Sequence, residues 1–103
     1  MKTKYEYIHE LWLEQSKKIS QSPYNWIAFL KTAAYMFKFS FEDQLLIHAQ
    51  RPDATACASY ETWNDKLNRW IRKGSKGIAL INNDNTLRYV FDIKDTRSPE
   101  FKP

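Results

Sequence analysis

The hydrophobic period of this chain changes once, near Asn68, and that change restricts the fold more than any other feature of the sequence. Up to that point apolar residues recur at steps of three and four, the spacing of helical faces. Beyond it, short β-branched and aromatic runs are separated by turn signals, the pattern of antiparallel strands. Each half carries an apolar face that only the other half can cover. The expected architecture is therefore α+β, with helices packed on a small antiparallel sheet.

From Tyr7 to Ile19, Ile8, Leu11, Trp12 and Ile19 keep to one helical face while Glu10, Glu14, Lys17 and Lys18 take the other. A second helix opens with Ser22 as N-cap and Pro23 at the first helical position, where its missing N–H costs nothing. Trp26, Phe29, Leu30, Ala33 and Phe37, widened by Ile27 and Ala34, make this the expected central core helix. Ser40 with Asp43 resembles a capping box and starts a short third helix that stops before Pro52. "ATACASY" suits a brief buried strand, and Ser59 caps a fourth helix from Tyr60 to Asn68 with Trp63 and Leu67 on one side. "RWIRK", "GIALIN" and "LRYVFDI", separated by "GS" and "NDN", read as a three-stranded meander. The order is α-α-α-β-α-β-β-β. Residues 1–95 form one expected domain, and 96–103, rich in charge, Ser and Pro, read as a linker or tail leading to further domains.

The chain has 103 residues, of which 43% are hydrophobic and 16% aromatic, so a packed core is affordable and a disordered tail is excluded. Cys57 is the only cysteine, which rules out an intrachain disulfide and a four-thiolate zinc site and fits a reducing cytoplasm. No apolar run is long enough to cross a membrane, and "MKTKYEYIHELWLEQ" has acids where a signal peptide needs an apolar stretch. His9 and His48 stand far apart, no HExxH pattern exists, and a nucleophile pair would need Cys57 beside a helical histidine. Glu42 with Asp43 sit at a helix start and Asp92 with Asp95 at a strand end, where acids are ordinarily dipole partners or solvated. The sequence thus reads as a non-enzymatic domain that needs no metal or cofactor.

Its net charge of +4 favours an anionic partner, and one segment concentrates cations. Lys66, Arg69, Arg72, Lys73 and Lys76 lead into or lie within "RKGSKG", which holds both glycines of the chain, Gly74 and Gly77. Glycine tolerates positive φ, so the two together would let the backbone reverse tightly and present N–H groups, with Ser75, to an anion. Trp70, and Tyr60 and Trp63 just upstream, could stack on unpaired bases while the cations follow phosphates, the combination that suits single-stranded nucleic acid. The competing interpretation is an exposed hairpin tip whose lysines discourage edge pairing.

The ordered set formed by Gln44, Leu45 and Leu46 on a short helix, a small-residue strand, Tyr60 and Trp63, then Arg72-Lys73-Gly74-Ser75-Lys76-Gly77 resembles the N-terminal domain of ArdC-type antirestriction proteins. The resemblance spans about Trp26 to Ile93. It implies a single-stranded-DNA-binding module without sequence preference, carried by proteins of plasmids and conjugative mobile elements. Asp43 stands where that family commonly has Asn, and no metal-binding catalytic part is present. The expected DNA contacts are Lys66, Arg69, Arg72, Lys73, Gly74, Ser75, Lys76 and Gly77, with Tyr60, Trp63 and Trp70 as stacking platforms. The rival expectation is a protein-interaction module that positions downstream domains through its aromatic surface.

Overall fold

The computed structural model describes residues 1–98. Three α-helices come first, α1 (Lys4–Lys18), α2 (Pro23–Tyr35) and α3 (Phe41–Gln50). They are followed by β1 (Cys57–Ala58), a single π-helical turn (Thr62–Lys66), β2 (Trp70–Ile71), β3 (Ile78–Ile81), β4 (Leu87–Asp92), a 3-10 turn (Ile93–Asp95) and β5 (Thr96–Arg97). The α+β class and the expected element order hold, with a fifth strand added.

Capping explains where the helices start. Thr3 and Glu6 form a reciprocal capping box, so α1 begins at Lys4, three residues before the apolar spacing becomes visible. Ser22 accepts the Asn25 N–H at 3.1 Å, and Ser40 accepts the Asp43 N–H at 3.2 Å. The central helix, however, is α3 and not α2. Leu45, Leu46 and Ile47 are all buried, whereas α2 buries Phe29 and Thr32 and leaves Trp26, Ile27 and Leu30 exposed. Both sides of α2 are apolar, so its spacing could not say which would be covered. The main core joins Ile8, Met36, Leu46 and Ile47 to Ile78, Ala79, Leu80 and Val90 of the sheet; Ile19, Phe29 and Leu45 form a smaller cluster beside it.

The strands do not form the expected meander. β4 is central, pairing antiparallel with β3 on one side and β1 on the other, while β2 pairs with β5 in a separate ribbon. Thr96 and Arg97, assigned by composition to the tail, are thus strand residues opposite Ile71 and Trp70. The remainder of that tail, 99–103, lies outside the described residues. Two polar side chains, one half-buried and one fully buried, replace missing sheet neighbours. The Gln50 amide donates to the Ala79 carbonyl at 2.9 Å and accepts the Ala79 N–H at 3.0 Å, closing the outer edge of β3. Asp92, expected to be solvated, is fully buried and accepts the N–H groups of Thr55, Ala56 and Lys94 at 2.8 to 3.1 Å.

Candidate nucleic-acid interface

The helix expected over Tyr60–Asn68 widens into a π-turn, with the Leu67 N–H reaching back five residues to the Thr62 carbonyl at 3.1 Å, and ends where Asn68 takes φ 53°. Trp63 and Leu67 therefore lose their shared face. Trp63 turns inward, only 4% exposed, and donates its indole N–H to the Phe91 carbonyl at 2.8 Å, while Leu67 faces solvent. The expectation that Trp63 is a stacking platform is corrected: its ring is core and its one polar atom is committed.

Asn68 sends the chain into β2, and the Trp70↔Arg97 register sets those two side chains together on the open face of the ribbon. Trp70 remains 45% exposed, and the Arg97 guanidinium lies 4.8 Å from its ring centroid, a cation–π pair. Tyr60, Asn64, Ile71 and Lys73 join Trp70 and Arg97 around an open hollow of about 420 Å³ whose lining, among the described residues, includes no acid. Arg97 was missed by sequence reasoning because it lies in a segment with the composition of a linker. Only the cross-strand pairing reveals it.

The cations divide into two groups. Lys66, Arg72, Lys73 and Lys76 are exposed around the ribbon and its turn. Arg69 is not free: its Nε donates to the Thr96 hydroxyl at 2.7 Å and its Nη2 to the Thr96 carbonyl at 3.4 Å, so it fastens β5 to the body of the domain. The assignment of Arg69 as a phosphate contact is therefore corrected to a positioning role, because its guanidinium already holds the strand that carries Arg97.

The two glycines answer different demands. Gly74 has φ +86° in a turn closed by the Ser75 N–H on the Arg72 carbonyl at 3.1 Å, the position where a type II turn requires positive φ. Gly77 does not have positive φ; a Cβ there would meet the Tyr89 Cβ at 2.9 Å and the Phe91 ring edge at 3.3 Å. The expected concavity of successive N–H groups is thus reduced, since the Ser75 N–H is taken by the turn itself. Gly74→Ala should cost roughly 1 kcal/mol through backbone strain alone. Gly77→Ala should cost about 1–3 kcal/mol by pushing β3 from β4. Urea unfolding of both variants checks the pair, and a smaller loss at Gly77 than at Gly74 would refute it.

A larger hollow of about 670 Å³ lies among α1, α3 and the β3–β4 turn, lined by Glu42, Asp43, His9, Trp12, Arg88 and asparagines. Its one lining cation, Arg88, is already paired with Asp43 at 2.5 Å, so the lining does not favour phosphate. That pair also accounts for an acid at position 43, since an amide could not form it. Burial first, then the neighbouring Asp92 carboxylate, pushes the Cys57 thiol up to about 12, which favours its protonated form near neutral pH. Among the described residues no helix is long and apolar enough to cross a membrane. Comparison of the chain with models of protein families, with curated proteins and with solved structures finds no match.

Proposed function

We propose that this domain binds single-stranded DNA with little sequence preference, using the β2–β5 ribbon and the turn that follows it. The observation that carries this reading is the exposed Trp70 ring, backed by Arg97 and set with Tyr60 and Lys73 around an open hollow. Exposed rings offer faces to unstacked bases, and Lys66, Arg72, Lys73, Lys76 and Arg97 offer charge to the phosphates between them. Base stacking is indifferent to sequence because every base has a π-face. The likeness of "RKGSKG" and its flanking residues to the ArdC-type N-terminal domain supports the same reading. With it comes a cytoplasmic module of a plasmid or conjugative-element protein, acting without catalysis, metal or cofactor of its own.

Fluorescence anisotropy with single-stranded DNA, duplex DNA and RNA at two salt concentrations tests the proposal. The single strand should bind most tightly. Lys73→Glu combined with Lys76→Glu should weaken binding to every sequence and reduce the salt slope by about 0.7 for each phosphate no longer neutralised. Stability should change by less than about 0.5 kcal/mol, because both side chains are exposed. Unchanged affinity and salt slope in a folded double variant would leave the turn a solvated tip.

A further inference from the structure

The outward side of α2 is more apolar than any surface the DNA reading uses. Tyr24, Trp26, Ile27, Leu30 and Tyr35, continued by Phe37 and Phe41 past the helix end, are each 43% to 80% exposed. At about 200 Å² for a full side chain of this size, they present on the order of 800 Å² together, the share that one partner hides in a standard protein interface. A lone soluble domain seldom shows a patch this large.

Charge narrows what could cover it. From Gln15 to Phe41 the chain has no acid, while Lys17, Lys18, Lys31 and Lys38 fall within the same stretch. The Asn25 side chain donates to the Lys18 carbonyl at 3.0 Å, which joins the end of α1 to the start of α2 and brings Lys17 and Lys18 to one end of the face. Lys38, 5.9 Å from the Phe37 ring centroid, stands at the other end, and Lys31 lies on the helix between them. We propose that this face docks an acidic, helical surface of a partner protein, an apolar stripe edged by Glu or Asp.

Three features favour that occupant. The rows Trp26–Leu30–Ala34 and Ile27–Lys31–Tyr35 leave between them the kind of groove that accepts a ridge of another helix, with small Ala34 opening one end. A second copy of this chain would bring lysines against lysines, with no acid between Gln15 and Phe41 to answer them. Trp26 and Tyr35 point to opposite sides of α2, at about 100° per residue, so the apolar surface wraps around the helix; a flat bilayer meets one side of it, whereas a partner protein follows it.

The probe is a helix-forming peptide of about three heptads with Leu at a and d and Glu at e and g, compared with a peptide that carries Lys at e and g. The acidic peptide should bind at least about tenfold more tightly than the basic one. Ile27→Glu with Leu30→Glu should weaken its binding at least about tenfold while circular dichroism stays unchanged, since both side chains are exposed. That variant should keep its affinity for single-stranded DNA, which separates this proposal from the fate of the DNA reading. Equal binding of the two peptides, or no binding of the acidic one at millimolar concentration, overturns the proposal. So do self-association in sedimentation equilibrium, binding to phosphatidylcholine–phosphatidylserine vesicles, or displacement of the peptide by an oligothymidylate.

Discussion

Asp92→Ala should destabilise the domain severely, the largest stability loss expected from any single polar side chain among the described residues. The carboxylate is fully buried, and its Oδ1 accepts the N–H groups of Thr55 and Ala56 while Oδ2 accepts that of Lys94. Removing it strands three donors at the junction of β1, β4 and the 3-10 turn. The expected cost is about 3–5 kcal/mol, against a total stability of order 5–15 kcal/mol for a domain of this size. Asp92→Asn keeps the Oδ1 bonds but turns an amide donor toward the Lys94 N–H and ammonium, so its cost should be smaller, about 1–3 kcal/mol.

The same residue gives stability a pH dependence of known sign. Burial alone would raise the Asp92 carboxyl, but the N–H groups of Ala56, Lys94 and Thr55 and the Lys94 ammonium outweigh it and hold the group below the usual carboxylate range. A carboxyl depressed in the folded state stabilises above its unfolded pKa of about 3.9 and loses that contribution as pH falls through the folded value. Wild-type protein should therefore weaken below about pH 4, and the Asn variant should lose the part of that slope due to Asp92. Urea titrations at several pH values check this, and parallel slopes for wild type and Asn variant would show that Asp92 is not the group responsible.

The sequence made the helices legible because their starts are written locally: Ser22 before Pro23, and Ser40 three residues before Asp43, cap without help from the rest of the fold. What it could not convey depends on partners distant in the chain. Asp92 reads as a strand-end acid until the backbone of Thr55 and Ala56 folds over it. Gln50 reads as a polar helix end until its amide completes the edge of β3. The ribbon that forms the candidate site is two residues long on each side, too short for any periodicity, and half of it lies in a segment with linker composition. Of the basic motif, the exposed lysines and the positive φ of Gly74 were readable from residue type. The crowding of Gly77 and the commitment of Arg69 to Thr96 were not, since each is set by β4 or β5.

Trp63 and Trp70 are seven residues apart and indistinguishable by composition, yet their alanine variants should fail in opposite ways. Trp63→Ala removes a buried ring and leaves the Phe91 carbonyl without its indole donor, so it should cost about 3–5 kcal/mol and lower the melting temperature by roughly 15 °C or more. Where enough folded protein remains at low temperature, DNA affinity should be little changed, because the ring does not face the hollow. Trp70→Ala removes a half-exposed ring from a two-stranded ribbon and should cost at most about 1 kcal/mol of stability. Its effect should appear in binding, at about 1–3 kcal/mol per stacked base, which is roughly 5- to 150-fold in affinity for single-stranded DNA. Trp70→Phe should restore part of that affinity, since a ring face is what stacking requires, whereas Trp70→Leu should not. In Trp63→Phe, Trp70 still faces the hollow, so DNA should still quench the tryptophan emission. Should Trp70→Leu bind as tightly as wild type, Trp70 and Arg97 are a surface pair of the ribbon alone, and the candidate interface lies elsewhere on the domain.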